Sequence, residues 1–204
     1  MTKKYKTIII IISILLIASI SIGGIYLTRD KEKEIVIENV DAISKYNYTL
    51  KKNDSITKKN KYKELKDILE KDIIDEDAYA KTLAEIFVID VYDLNSKISK
   101  YDIGGLEYIY ESDKDKFKNI MLDTLYNSVE DNALDNRKQK LPIVVNVTSD
   151  NITQSEYKIN DTTYSSWNIQ IKIDYETDLG YDKNVLVTVI KDTDKLYVVE
   201  IKPI

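Results

Sequence analysis

The longest apolar stretch of the chain lies near its beginning. Residues 7–27 contain no charged side chain, and a helix of that length would measure about 31 Å, close to the hydrocarbon thickness of a bilayer. Lys3, Lys4 and Lys6 precede this stretch, and a segment of mixed charge follows it. Because basic residues favour the cytoplasmic side, we predict a single-pass cell-membrane protein with a cytoplasmic N-terminus and an extracytoplasmic remainder.

Two other interpretations of this stretch stay open. Ser21 and Gly23 form a small-x-small pattern before Gly24, as at the cleavage site of a signal peptide. The apolar run exceeds the roughly 7–15 residues that are usual in a signal peptide, which favours an uncleaved signal-anchor. A buried core helix is the third interpretation.

Helical periodicity dominates the first half of the remaining chain. Apolar residues recur at spacings of three and four over residues 57–71, which predicts a helix. Asp77 is the expected N-cap of a second helix over residues 78–98, and the centre of that helix is apolar almost all round, as in a buried helix. Ser112 and Asp115 predict a capping box for a third helix. The apolar face of the third helix comprises Phe117, Ile120, Met121, Thr124 and Leu125.

The hydrophobic period changes to two after about Pro142, which predicts strands. The segments with this character are residues 143–147, 167–176, 185–190 and 196–201. In residues 167–176 every odd position is apolar and every even one polar, so one face of this strand is expected to be buried. Residues 43–50 favour a further short extended segment.

Helices followed by antiparallel strands predict an α+β domain. We expect an N-terminal transmembrane helix and then about three helices packed on a curved antiparallel sheet of about four strands. The predicted division of the chain is residues 1–29 for the cytoplasmic tip and membrane helix, 30–40 for a linker, and 41–204 for an extracytoplasmic domain.

The composition excludes several classes of chemistry. The chain has neither Cys nor His, so disulfides, thiol nucleophiles, Cys/His zinc sites and Ser–His–Asp triads are ruled out. The net charge is −5, which does not favour nucleic-acid binding. Lysines concentrate in residues 51–71, where we expect them to form the solvated face of a helix.

Short acidic and glycine motifs do not match known site patterns. Residues 113–115 begin like a calcium loop, but Phe117 stands where a further oxygen ligand is needed, and residues 192–194 fit a hairpin turn. Gly104 and Gly105 lack the surrounding pattern of a phosphate loop. We therefore predict no metal site and no cofactor.

Asp90 is the main candidate for proton-transfer chemistry. It shares an apolar helical stripe with Ile86 and Leu94, and a carboxylate there is costly unless it is paired. Burial could raise its pKa into a range that suits a general base. The alternative is a structural Asp90 bonded to a tyrosine hydroxyl, a backbone N–H or Arg137, and the absence of His favours this alternative.

Tyrosine is unusually frequent, with sixteen copies in the chain. Tyrosine combines a large contact area with a hydroxyl group, which suits sugar or peptide binding. Tyr92, Tyr175 and Tyr181, together with Asp90 and Arg137, are the predicted contacts of a cavity or partner. An ordinary role in the core and its rim is the alternative for the tyrosines.

The order of the elements resembles the nuclear-transport-factor-2-like fold, in which N-terminal helices are cradled by a curved antiparallel sheet. A membrane helix ahead of such a domain is similar to assembly-factor subunits of bacterial type IV secretion and conjugation machines. Asp102-Ile103-Gly104-Gly105 and Asp178-Leu179-Gly180-Tyr181 also resemble pieces of small membrane-anchored proteins of low-GC Gram-positive bacteria. The resemblance covers about residues 40–204 and implies a scaffold role and, between helix and sheet, a cavity where a single Asp can act as a base.

Three functional hypotheses follow. The first is a membrane-anchored binding or scaffold protein, an assembly subunit of an envelope or secretion complex, with protein partners or a second copy of itself. The second is a small-molecule or glycan binder with a cavity between helix and sheet. An enzyme that uses Asp90 as its base is the third, and the lack of His and Cys makes it the least favoured.

Overall fold

The computed structural model describes residues 38–204. The predicted membrane helix lies outside the described residues. Within them, three α-helices accompany a four-stranded antiparallel sheet, which confirms the predicted α+β class. A search of residues 38–204 for a helix with the length and apolar character needed to cross a membrane finds none.

Two short strands open the described chain. β1 (Asn39–Ile43) and β2 (Tyr48–Lys51) pair antiparallel and are joined by a 3-10 turn, Ser44–Tyr46. Asn47 leaves this turn in the left-handed conformation, with φ of 53°. The segment expected to be extended, residues 43–50, therefore comprises the end of β1, the turn and most of β2.

Helix α1 (Ile56–Leu69) lies close to its predicted position. Ser55 caps its N-terminus, because the Ser55 side chain accepts a hydrogen bond from the Lys58 backbone N–H. The buried face of α1 includes Tyr62 and Leu65, as the spacing predicts.

Helix α2 (Glu76–Tyr92) is shorter than predicted and begins at a different cap. Asp75, not Asp77, caps it, since its side chain accepts from the Ala78 N–H at 3.1 Å. The Asp77 carboxylate instead accepts hydrogen bonds at 2.7 Å from the Trp167 indole and the Gln154 amide. The predicted cap is wrong because this side chain joins the helix to the sheet.

The C-terminus of α2 also differs from the prediction. The helix ends at Tyr92 because Asp93, with φ of −80° and ψ of 75°, leaves the helical conformation. A 3-10 turn, Leu94–Ser96, follows. Every residue from Thr82 to Tyr92 is buried, which confirms that α2 is buried on most of its circumference.

Helix α3 (Lys114–Asp123) has no side-chain cap, so the predicted capping box is wrong. Ser112 lies in a 3-10 turn, Glu111–Asp113, that precedes the helix. No residue of α3 is fully buried, and Phe117 contacts Phe87 of α2 with ring centroids 5.8 Å apart. This helix therefore lies at the rim of the core.

The sheet is an antiparallel meander in the order β3-β4-β5-β6. Its strands are β3 (Val144–Ile159), β4 (Thr162–Tyr175), β5 (Asn184–Asp192) and β6 (Lys195–Pro203). Trp167, Ile169, Ile171 and Ile173 are all buried, which confirms the alternation predicted for β4. Helix α2 contacts all four strands, and one continuous apolar core joins the helix to the sheet.

The β3–β4 hairpin is much longer than the sequence pattern predicts. The pattern indicates only residues 143–147 as the first strand, whereas β3 continues to Ile159. Strand β5 pairs with β4 only between Ser166 and Lys172. We call residues 156–165, which extend beyond β5, the distal hairpin. They are mostly exposed on both faces, so apolar alternation could not reveal them.

Two glycines in the loop after α2 allow this loop to lie directly on the helix. A Cβ atom at Gly104 would stand 1.9 Å from the Asp90 carbonyl oxygen. Gly105 has a φ of +82°, and a Cβ atom there would stand 2.7 Å from the Phe87 ring. Close backbone approach therefore requires glycine at both positions.

Gly105→Ala and Gly180→Ala form a matched pair of stability probes. Gly180 has nearly the same φ, +83°, but a Cβ atom there would meet no other atom within 4 Å. We expect Gly180→Ala to cost about 1 kcal/mol from backbone strain alone. Gly105→Ala should cost about 1–3 kcal/mol more because it also overpacks the core.

Urea unfolding of the full chain in detergent, followed by the fluorescence of its single tryptophan, measures both free energies of unfolding. Equal losses in the two variants would show that the loop does not need close contact with α2.

Candidate functional site

The carboxylate of Asp90 lies where the loop after α2 folds back onto the helix. Its Oδ1 is 2.6 Å from the Lys97 Nζ, and its Oδ2 is 3.1 Å from the Lys58 Nζ. The backbone N–H of Gly105 donates to the same Oδ2 at 2.7 Å. Both carboxylate oxygens of Asp90 are thus occupied by three donors, one from α1 and two from the loop after α2.

A second carboxylate completes the arrangement. Asp54, just before α1, is 3.0 Å from the Lys58 Nζ. We call Asp54, Lys58, Asp90 and Lys97 the buried ion cluster, because each of these residues is at most 7% exposed. Two lysines face two aspartates, so the charges within the cluster balance and part of the cost of removing them from water is offset.

The electrostatics keep the cluster charged. Burial by itself would raise the pKa of Asp90, but the positive charges of Lys58 and Lys97, with the Gly105 hydrogen bond, hold this pKa well below its ordinary range. Burial conversely disfavours the charged form of Lys97, and the Asp90 charge outweighs this effect and raises the Lys97 pKa. The shift at Asp90 is therefore opposite to the one expected from the sequence.

Further acidic side chains surround the cluster. Asp102 pairs with Lys51 at 3.4 Å and accepts the Ile98 N–H at 3.1 Å. Glu107 accepts hydrogen bonds from the backbone N–H and the hydroxyl of Thr49, at 2.9 and 2.8 Å. These contacts tie β2 to the loop that follows α2. The pKa of Glu107 is raised, mainly by burial.

The arrangement at Asp90 fits a structural role better than proton transfer. A general base needs an oxygen within reach of a substrate proton, and both Asp90 oxygens already accept hydrogen bonds. The backbone N–H partner agrees with the structural alternative, while the two lysine partners were not predicted.

Arg137 binds to the backbone of the loop after α2. Its guanidinium donates to the carbonyl oxygens of Asn95 at 2.8 Å and Lys97 at 2.9 Å. Arg137 therefore holds the backbone that presents Lys97 to Asp90, and no hydrogen bond joins it to the Asp90 carboxylate within residues 38–204.

The three tyrosines predicted as contacts do come together, around the loop between β4 and β5. The Tyr92 hydroxyl donates to the Asp182 carboxylate at 3.4 Å, and the Tyr175 hydroxyl donates to the Asp182 carbonyl at 2.9 Å. The rings of Tyr175 and Tyr181 lie 6.4 Å apart. Neither Asp90 nor Arg137 takes part in these contacts.

An open cleft lies beside the distal hairpin. Its volume is about 290 Å³, and α3, β3 and β6 contribute to its walls. Apolar lining residues include Phe117, Ile120, Met121, Tyr157 and Ile201. Nearby, the Tyr110 hydroxyl contacts the hydroxyl of Tyr164 and the Asp192 carboxylate.

A search of residues 38–204 for three or more acidic side chains placed to hold a metal ion finds none. The buried ion cluster already contains its own cations, the two lysine ammonium groups. These ammonium groups occupy the positions around Asp90 from which a cation would be bound.

Sequence reasoning missed the lysines of the cluster. Lys58 was expected on a solvated face, but it is buried. A signal was present, because Lys58 lies four residues before Tyr62 and therefore shares the apolar stripe of α1. No comparable signal marks Lys97, which lies in a loop and reaches Asp90 only through tertiary structure.

A scan against protein-family models and searches of curated protein sequences and of solved structures find no match to this chain.

Removing the charge of Asp90 should strongly destabilise the fold. Asp90→Asn leaves Lys58 and Lys97 without their shared counter-charge, and breaking a buried pair in this way costs about 3–5 kcal/mol. Asp178→Asn is the matched control, since its partner Lys183 forms an exposed pair, and it should leave the free energy of unfolding unchanged. Urea unfolding of the two full-length variants provides the comparison, and an Asp90→Asn chain as stable as wild type would refute the structural role.

The contribution of Asp90 should also depend on pH. Because its pKa is lowered on folding, the stabilisation is complete above the unfolded value of about 3.9 and is lost as the pH falls below it. The difference in unfolding free energy between wild type and Asp90→Asn should then shrink by about 1.4 kcal/mol per pH unit. A difference that stays constant on acidification would contradict the assignment.

Proposed function

We propose that this chain is a membrane-anchored extracytoplasmic protein that acts by binding, as a scaffold or assembly subunit of an envelope complex. The lysine-flanked apolar stretch at residues 7–27 supports the anchor. The order of helices before an antiparallel meander is compatible with the nuclear-transport-factor-2-like resemblance. The proposal includes no nucleic-acid partner.

The open edge of β3 is the main observation that supports a binding role. Within residues 38–204 this strand is the first in the sheet order and pairs only with β4. At the opposite edge, β6 is partly covered, because Val198 exchanges backbone hydrogen bonds with Tyr108 and Tyr110. An uncovered edge strand presents free N–H and C=O groups to a partner.

The ion pairs and the lowered pKa of Asp90 favour a binding role over a catalytic one. Its carboxylate is buried, ion-paired on both oxygens and depressed in pKa, whereas a general base at neutral pH needs a pKa closer to 7. The ion pairs of Asp90 with Lys58 and Lys97 stabilise the fold.

Small-molecule or glycan binding is the second candidate. The grouping of Tyr92, Tyr175 and Tyr181 around Asp182 favours it, because aromatic rings beside a carboxylate suit sugar recognition. The predicted cavity between helix and sheet receives less support. There, Leu83 and Phe87 of α2 pack in one core with Ile169 and Val187 of the sheet.

The absence of cysteine allows a direct test of location and assembly. Leu134 is 82% exposed, so Leu134→Cys offers one accessible thiol, and Thr2→Cys is the control in the N-terminal tip. We expect a membrane-impermeant maleimide to label Leu134→Cys in intact cells, but Thr2→Cys only after permeabilisation. Labelling of Leu134→Cys only after lysis would refute the extracytoplasmic location.

Amine crosslinking of the wild-type chain in the same cells tests the binding role. The proposal predicts that the chain migrates in complexes larger than a monomer. A Glu156→Pro variant, which removes one N–H from the β3 edge, should form fewer of them. Recovery of monomer alone from wild-type cells would contradict the proposal.

A further inference from the structure

The distal half of β3 is the regular part of this open edge. In the proximal half, the pairing with β4 is interrupted between Val144 and Asn146 and again between Ser149 and Asn151. The Thr57 hydroxyl also donates to the Val144 carbonyl at 2.9 Å. Bulges and covering groups of this kind protect an edge from pairing. From Asn151 to Ile159 the register is unbroken, so only this half can accept another strand.

The hairpin loop determines which backbone groups face outward. Ile159 pairs with Thr162 across a two-residue loop, and such a closing pair exchanges backbone hydrogen bonds. Hydrogen-bonded and non-hydrogen-bonded pairs alternate along an antiparallel ladder. The N–H and C=O groups of Gln154, Glu156 and Lys158 therefore point away from β4.

The charges along this edge are self-complementary. Glu156 and Lys158 are two residues apart, so their side chains lie on the same face of β3. Neither forms an ion pair with another residue of the range 38–204. An antiparallel pairing of two β3 strands about a two-fold axis at Tyr157 places Glu156 of each strand opposite Lys158 of the other.

This register also satisfies the backbone. Glu156 and Lys158 both have outward N–H and C=O groups, so they form a hydrogen-bonded pair across the axis, and Tyr157 faces its symmetry mate as a non-hydrogen-bonded pair. Opposite charges and aromatic residues in facing positions both stabilise antiparallel strands. The contact is the same on both copies, as two-fold symmetry requires.

The distal hairpin also gains support from such pairing. Its two strands extend beyond β5, and a hairpin with only two strands is marginally stable in water. Pairing of two copies converts two exposed hairpins into a ribbon of four strands.

We propose that the occupant of the β3 edge is a second copy of this chain, paired antiparallel through residues 154–160 about an axis at Tyr157. This inference rests on the proposed binding function and names the partner of the same edge. The charge pattern selects the register, because it brings Glu156 directly opposite Lys158 twice.

Engineered thiols in the cysteine-free full chain test the register. In a non-hydrogen-bonded antiparallel pair the Cα atoms are about 4.5 Å apart, which is within disulfide range, so Tyr157→Cys should form a covalent dimer on mild oxidation in the membrane. Tyr164→Cys is the matched control. Tyr164 pairs with Tyr157 on β4, and in the dimer it lies three strand spacings, about 14 Å, from its mate. We expect about tenfold less dimer from Tyr164→Cys.

Charge reversal separates specific pairing from general proximity. In the Tyr157→Cys chain, Glu156→Lys or Lys158→Glu places like charges opposite each other and should lower the dimer yield about tenfold. The combination of both reversals restores opposite charges and should restore the yield. A folding defect would not be rescued in this way.

The outcomes distinguish this inference from the proposed function. Equal dimer from Tyr157→Cys and Tyr164→Cys, or no rescue by the double reversal, would overturn the second-copy register. If Tyr157→Cys stays monomeric on oxidation, while Leu134→Cys is labelled from outside and larger complexes persist, the inference alone is overturned. Failure of the labelling and of the complexes would overturn the proposed function.

Discussion

The attraction between Asp90 and its two lysines is the interaction on which the rest of the structure depends. Lys58 approaches from α1 and Lys97 from the loop after α2, so one carboxylate joins α1, α2 and the loop that follows α2. Burying four charges is favourable only if each keeps its partners. The position of α1, the early end of α2 and the close approach of Gly105 are therefore coupled to a single group.

This constraint has a consequence for function. An acidic residue on the apolar face of a buried helix is a natural candidate for a general base, yet here its charge is fixed by ion pairs. In the described range, 38–204, features open to partners lie at the periphery, in the uncovered edge of β3, the cleft beside α3 and the tyrosines around Asp182. An uncovered strand edge of this kind offers backbone N–H and C=O groups for pairing with another strand.

Periodicity predicted most of the fold because burial imposes it. The alternation around Trp167 and the apolar centre of α2 both indicate a buried face, and both faces are buried as predicted. The distal hairpin escaped prediction because it is exposed on both faces, so nothing forces its polar residues to alternate. Asp90 could be identified as a candidate site residue from its apolar stripe. Lys97 could not, because the sequence of a loop does not show which of its side chains will contact a helix.

The ionisation of Asp90 tests the central claim most directly. A carboxyl-¹³C titration of the full chain, with the Asp90 signal assigned through its bonds to its own backbone, follows this group alone. The ion pairs predict that Asp90 remains ionised as the pH falls through the ordinary value of 3.8. A resonance that titrates above that value would show an unpaired, proton-exchanging carboxylate, and would contradict the structural role of the buried ion cluster.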